Sequence, residues 1–285
     1  MVYTIFNDTY PAKAEGHGER LYYIPYEYKT QFGPEKWWEN LDHEHLYLLV
    51  RENWTLAIWT ALIYISGIHA LQRSMKNRKP WDLKWPLIIW NSIFAIFSLV
   101  LAIRLSEEFM YVVSKFPLLD SISYAPDPRQ PVGFCVLLFL ISKVLQLGDT
   151  VFIVLRKKPL IFMHWYHHAV ALVYVWHGGK EGVAAGRVLT FMNCCIHFLM
   201  YSYFALSAGG IRFPRVIAKV ISMLQIAEMF TAVAISCIVL ACKLQGRLMQ
   251  HSDENLAFCF MTYFTFAILF SMKAFNVEKE KAKSE

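Results

Sequence analysis

Three histidines crowd into one five-residue run, His164-Trp165-Tyr166-His167-His168. On a helix, the first and the last two stand at i, i+3 and i+4 and share a face. Neutral imidazoles at that spacing can act as nucleophile, proton carrier or metal ligand. Further polar side chains recur at helical spacing nearby. Asn193, His197 and Tyr201 are four apart, Gln225 and Glu228 are three apart, and Lys143, Gln146 and Asp149 wind slowly round a fourth segment. Four helices carrying such stripes can enclose a polar reaction chamber.

The elements that must hold these groups are strongly apolar. Of 285 residues, 56% are hydrophobic and 16% aromatic, and only 18% are charged, against about 25% charged in a soluble domain. That balance leaves too little polar surface for a water-soluble globule and too much apolar surface for disorder. Cys135, Cys194, Cys195, Cys237, Cys242 and Cys259 lie in or beside apolar runs with no Cys-x-x-Cys spacing, which excludes a zinc or disulfide framework. Seven runs approach the roughly 20 residues that a bilayer-crossing helix needs: 54–71, 86–103, 132–155, 160–176, 188–208, 216–242 and 256–272. The expected fold is therefore all-α: a polytopic integral membrane protein whose seven transmembrane helices enclose the chamber. It divides into an N-terminal lumenal or interfacial segment (1–53), a membrane domain (54–275) and a tail (276–285). An ionised group at mid-membrane costs about 2.5–3.5 kcal/mol on insertion scales, so the polar groups of the middle four spans are expected to face inward.

Orientation follows from Lys and Arg placement. Arg73, Lys76, Arg78, Lys79 and Lys84 follow the first span; Arg156, Lys157 and Lys158 follow the third, Arg212 and Arg215 the fifth, and Lys273, Lys279, Lys281 and Lys283 the last. The alternate loops hold fewer, among them Lys180, Arg187 and Lys243. The bias puts the N-terminus in the lumen and the C-terminus in the cytosol. The net charge of +6 is thus a topology signal, and no nucleic-acid partner is expected. Asn7-Asp8-Thr9 is a glycosylation sequon on the lumenal side, whereas Asn53-Trp54-Thr55 abuts the membrane. No apolar leader precedes the first span. The terminal Lys281-Ala282-Lys283-Ser284-Glu285 resembles a retrieval signal of endoplasmic reticulum membrane proteins. His164 lies about five residues, roughly 7 Å, inside its span, placing the chamber in the cytosolic half below a basic rim of Arg156, Lys157, Lys158, Arg212 and Arg215. A rim of that charge suits a phosphorylated headgroup or cofactor, and the apolar remainder suits a long chain. His69 is read as a packing hydrogen-bonder, Trp54, Trp81, Trp85 and Trp90 as interface anchors, and the adjacent Cys194 and Cys195 as packing.

These motifs resemble those of the ELO family of very-long-chain fatty acid elongases, from about Trp54 to the tail. The family's His-x-x-His-His box matches His164, His167 and His168. Its Lys-x-x-Glu-x-x-Asp-Thr motif matches Lys143, Asp149 and Thr150, with Gln146 in place of Glu. Its His-x-x-Met-Tyr-x-Tyr-Tyr motif matches His197, Met200, Tyr201 and Tyr203, with Phe204 last. Its Thr-x-x-Gln-x-x-Gln motif keeps Gln225, with Ser222 and Glu228 at the other positions. The complementary exchange at residues 146 and 228 leaves the formal charge unchanged and suggests that both belong to one hydrogen-bond network.

The resemblance implies an endoplasmic reticulum acyltransferase, with an acyl tunnel beside its chamber, that condenses an acyl-CoA with malonyl-CoA to a 3-ketoacyl-CoA two carbons longer. No cofactor or metal is implied. His167 matches the residue assigned as nucleophile, through an acyl-imidazole. His164 and His168 are candidate orienting or proton-handling partners. His197, Asn193 and Tyr201 are candidates for holding carbonyl or oxyanion groups, Lys143 and Asp149 for a pair fixing the chamber, and Gln225 for a substrate contact, with Arg156, Lys157 and Lys158 at the rim. Trp165-Tyr166 inside the box resembles the branch acting on saturated and monounsaturated chains, with branched chains not excluded. Membrane lipids and other elongation-cycle enzymes are implied partners, and a homo-oligomer stays open. A di-iron fatty acyl desaturase or hydroxylase is the main alternative, but it needs more histidines than His164, His167, His168 and His197 supply. A seven-helix receptor or transporter fits the topology but not a cluster reached from the basic side.

Overall fold

The structure, a computed structural model, describes residues 6–9 and 20–282. Among the described residues, five helical stretches are long and apolar enough to cross a bilayer: α4 (Lys84–Lys115), α6 with α7 (Pro131–Leu155), α9 (Gly186–Gly209), α10 (Arg215–Leu244) and the first part of α11 (Asp253–Ala282). Two shorter helices, α3 (Leu56–Met75) and α8 (Phe162–Gly179), occupy the positions of the first and fourth expected spans. They have 20 and 18 residues, but His69, Gln72 and Arg73 in α3 and four histidines in α8 dilute their apolar character. The fold is thus a mostly helical integral membrane bundle, in which five spans, not seven, are marked by length and apolarity alone.

The bundle packs α4 along α9, α10 along α11, and α8 between α3, α6 and α11. Its outer surface is apolar where a soluble protein's would be polar: Ile63, Trp59, Ile96 and Ile103 are 72%, 63%, 64% and 59% exposed. Surface of that kind is stable only against lipid. Helix ends follow local chemistry. Pro131 opens α6 at a position that needs no donor, and Gly210, at φ 108°, closes α9 in the left-handed region that a Cβ disfavours.

Two features depart from a purely helical bundle. First, residues 6–9 (β1), 20–24 (β2) and 125–126 (β3) form a three-stranded sheet in the order β1-β2-β3. β1 and β2 are antiparallel; β2 and β3 are parallel, with Tyr23 opposite Ala125 and Ile24 opposite Pro126. The run Tyr22-Tyr23-Ile24 is rich in residues that fit a pleated surface. The sequon residues Asn7-Asp8-Thr9 lie on β1. Second, two short helices, α1 (Gly33–Glu39) and α2 (His43–Asn53), dock the N-terminal segment on the bundle. Buried Glu35 of α1 accepts from Arg104 Nε at 2.6 Å and Nη2 at 2.9 Å. Tyr26 donates to Glu107 at 2.9 Å, and the Trp38 indole to Pro128 O at 3.1 Å.

Those anchors exist because α4 runs 12 residues past the expected end of its span, to Lys115. The extension carries Arg104, Glu107 and Glu108. Glu108 and Arg187 form an ion pair at 2.9 and 3.0 Å, their side chains 1% and 2% exposed, with Arg187 Nη1 donating to Ser121 O and Tyr124 O. Arg187, expected as a loop charge, is therefore a buried tie between α4 and α9. A short helix α5 (Asp120–Ser123) supplies one of its carbonyls. At the other end α11 continues as helix to Ala282, and residues 283–285 of the retrieval-like tail lie outside the described residues.

Candidate active site

The third expected span is not one regular helix. α6 ends at Leu145 and α7 runs Gly148–Leu155. Across the junction Leu147, Asp149 and Thr150 donate to carbonyls three residues back, at 3.3, 3.1 and 3.3 Å, a tightened turn. That turn sends Lys143 and Asp149 to different partners, so the expected Lys143–Asp149 pair does not form.

Asp149 receives the Trp90 indole N–H at 2.6 Å and the Tyr201 hydroxyl at 2.7 Å, and its Oδ2 lies 4.0 Å from His168 Nε2. Gly148 makes this possible, since a Cβ there would meet Trp90 Cζ2 at 2.8 Å. Trp90, expected as an interface anchor, is instead the chamber's most direct hold on Asp149; its spacing on α4 resembles that of any membrane-facing aromatic, so only the neighbouring Gly148 hints at the contact. Trp81 and Trp85, 52% and 69% exposed, have the exposure of anchors. Beside Asp149, Thr150 shares hydrogen bonds with Tyr64 at 2.6 Å and His164 Nε2 at 3.1 Å. Tyr64, on α3, was not singled out by its sequence context.

The histidine box divides by direction. His164 and His168 lie with ring centroids 4.5 Å apart, their planes tilted by 51°, and look toward α7. His167 looks the other way, 4.5 Å from the Phe266 ring and 5.3 Å from Phe270 on α11, with its Nδ1 buried and without a hydrogen-bond partner. His167 therefore faces different neighbours from the other two. His197 lies beside Tyr201 with centroids 5.6 Å apart. His69, as expected, bonds the Ile65 carbonyl at 2.8 Å within its own helix.

The second polar group is a chain of four. Lys143 Nζ donates to Asn193 Oδ1 at 2.8 Å and to Gln146 Oε1 at 3.4 Å, and Asn193 Nδ2 donates to Glu228 Oε1 at 2.9 Å. Residues 146 and 228 thus do meet in one network, through Lys143 and Asn193. Lys143 also sits 4.4 Å from the Phe139 ring centre.

From His167, Lys143 and Asn193 an apolar cavity of ≈ 390 Å³ leads away between α6, α8, α9 and α11 toward α1 and α2. Of the candidate residues, those three line it; His164, His168, His197, Asp149, Tyr201 and Gln225 do not. The Tyr201 hydroxyl is spent on Asp149, and Gln225 donates to Met200 Sδ at 3.3 Å, so neither stands at the cavity as a substrate contact. Arg156, Lys157 and Lys158 do not line the cavity, and Lys157, at φ 52°, donates to Lys76 O at 3.1 Å and Arg78 O at 3.0 Å, tying the two basic loops together. The wall contributed by α11 (Tyr263, Phe266) went unnoticed in the sequence because aromatic residues in an apolar run look like lipid-facing ones.

Among the described residues, no three or more His, Cys, Asp and Glu side chains converge as a metal site. At the cavity's far end His43 of α2 stacks edge-on with Trp38, centroids 5.0 Å apart. Burial holds its imidazole below the ordinary range, so it is uncharged at neutral pH.

A buried polar chamber joined to an apolar cavity, inside a membrane bundle, defines an enzyme built to hold a long apolar chain at one reactive end. The sequence pattern of the family described as ELO: GNS1/SUR4 matches residues 49–283. The chain is 40% identical to very long chain fatty acid elongase 6 of Drosophila melanogaster over 228 residues, covering 76% of this chain and 72% of that one. It is 37% identical to very long chain fatty acid elongase 3 of Homo sapiens over 238 residues (82% and 88%), and 33% identical to elongase 6 of Gallus gallus over 246 residues (86% and 89%). The chain belongs to the ELO family of fatty acid elongases, and its activity is fatty acid chain elongation.

Proposed function

We propose that this protein is the condensing enzyme of elongation, joining a long-chain acyl-CoA to malonyl-CoA through an acyl group carried on His167. One observation carries the reading: His167 is the box histidine that faces the apolar cavity, and its Nδ1 has no protein partner. The unprotonated ring nitrogen attacks the thioester carbonyl, the C–S bond breaks, and CoA leaves as the thiol with the imidazole proton. Malonyl-CoA then loses carbon dioxide, its enolate carbon attacks the acyl-imidazole carbonyl, and the released imidazole recovers a proton from solvent. The product is a 3-ketoacyl-CoA two carbons longer. Exclusion of water by Phe266 and Phe270 protects the acyl-imidazole from hydrolysis, and Lys143 with Asn193 is placed to meet negative charge developing on the carbonyl.

In this reading α3 and α8 also cross the bilayer, giving seven spans. The N-terminus is lumenal, the C-terminus cytosolic, and the membrane that of the endoplasmic reticulum. Saturated or monounsaturated chains are the favoured substrates. The substrates acyl-CoA and malonyl-CoA, membrane lipids and the other elongation-cycle enzymes are its partners.

The test is to supply acyl-CoA without malonyl-CoA and locate the adduct by peptide mass spectrometry. Acylation of His167 that disappears in His167→Ala, together with a loss of condensation of about a thousandfold or more, is the expected result. An adduct that survives this substitution moves the nucleophile elsewhere.

A further inference from the structure

Away from His167 the cavity is lined by the first turns of α6 (Gly133, Val136) and α9 (Gly186, Arg187) and also by the N-terminal segment. On α8 its lining residues are His167, Ala171, Tyr174, Val175, Gly178 and Gly179, one helical face running toward the end of that helix. From His167 to Gly178 is eleven residues, about 16 Å of rise. An extended acyl chain advances about 1.25 Å per carbon, the projection of a carbon–carbon bond of about 1.5 Å, so this stretch takes about thirteen carbons. At that end the N-terminal segment joins the first turns of α6 and α9. Its lining residues are Trp38 of α1 and His43, Leu46, Leu49 and Val50 of α2.

His43, Leu46 and Val50 stand at i, i+3 and i+7, so one face of α2 is turned to the cavity. That face is pinned at three places. Asp42 caps the start of α2 by accepting from His45 N at 3.0 Å. The Trp38 ring, just before it, lies 5.7 Å from Phe134 at the start of α6. Trp54, just after it, lies edge-on to His177 of α8 at 4.8 Å, with Lys180 4.6 Å from its ring centre. The side chains this face presents to the cavity are mostly aliphatic.

We propose that α2 forms the wall against which the methyl end of the acyl chain halts, and that side-chain volume at Leu46 and Val50 sets the longest chain the protein elongates. This rests on the condensing reading above. Chains shorter than the His167–Gly178 stretch never touch α2. Longer ones must pack on it or buckle, and each methylene that cannot be housed costs about ten- to a few hundredfold in selection.

The experiment uses the full chain in detergent or proteoliposomes, with acyl-CoA primers of about twelve and about eighteen carbons, chosen to fall short of α2 and to reach it, and labelled malonyl-CoA. Leu46→Trp should lower the ratio of long- to short-primer rates about tenfold while the short-primer rate stays within about twofold. Leu46→Ala should lengthen the longest product by at least one two-carbon cycle. If both variants keep the wild-type ratio and the wild-type longest product, whatever their overall rates, the proposal is overturned. A parallel measurement does not need the condensation at all. A long acyl-CoA carrying a photoreactive diazirine at its methyl end should label residues 43–53 on illumination. Label confined to α6, α8 or α11 would remove α2 from the chain's path even in a fully active enzyme. A wild-type protein that labels at α2 but condenses no primer would sink the condensing reading and leave the binding wall standing.

Discussion

The two ends of the cavity are built on opposite principles. At the histidine end many buried polar atoms have a named partner: Asp149 with Trp90 and Tyr201, Thr150 with Tyr64 and His164, Lys143 with Asn193 and Gln146, and Asn193 with Glu228. Mutual satisfaction of that kind fixes positions, because any displacement leaves a buried polar group unpaired. His167 Nδ1 is buried without such a partner, and it belongs to the group that faces the cavity. At the α2 end the side chains that α2 turns to the cavity are mostly aliphatic, and what is held firmly is the Glu35–Arg104 tie together with the Glu108–Arg187 tie, whose Arg187 reaches the cavity lining. On the proposed reading, one end sets how fast the reaction runs and the other sets which chain fits. Substitutions in the chamber should therefore change rates evenly across chain lengths, and substitutions in the wall should tilt the profile.

The largest effect expected from breaking this division is on stability at the α2 end. Glu108→Ala leaves Arg187 buried and unpaired, which costs about 3–5 kcal/mol. Thermal unfolding in detergent should show a marked fall in Tm, and a change of less than about 1 kcal/mol would mean that water already reaches the pair. Next is Trp90→Phe, which removes one donor to a buried carboxylate, about 1.5–3 kcal/mol. Its rates should drop by the same factor for short and long primers. A length-dependent drop would erase the distinction between the two ends. The smallest effect concerns the four-residue chain. A double-mutant cycle of Gln146→Glu and Glu228→Gln should show a coupling of about 0.5 kcal/mol or more through Lys143 and Asn193, read from unfolding or from rate. Simple additivity would mean that the two residues share neighbours but no energy.

Much of the chamber was legible from spacing because membrane burial makes polar residues conspicuous. His164, His167, His168, Lys143, Asp149, Asn193 and Glu228 could not sit against lipid, so they had to meet. Direction was not legible. The i, i+3 and i+4 rule puts the box histidines on one side of α8, but a side chain's neighbours are set by the adjoining helices, and these send His167 toward Phe266 and its neighbours toward Thr150. The break after Leu145 was hidden because a tightened turn keeps an unbroken apolar run. Trp90 and Tyr64 were hidden because an aromatic residue in an apolar span serves lipid, cavity or hydrogen bond equally well. The N-terminal segment was least readable. Its strands and short helices are too brief for periodicity, and their stability comes from distant partners such as Arg104 and Pro128.

Those distant partners bear on how the chain is assembled. Strand β2 lies beside β3, roughly a hundred residues later, and Trp38 bonds the carbonyl of Pro128. The segment that holds β2 and Trp38 is therefore delivered before the residues it docks on, and its seating has to wait until α4 and the turn before α6 have followed it out of the ribosome.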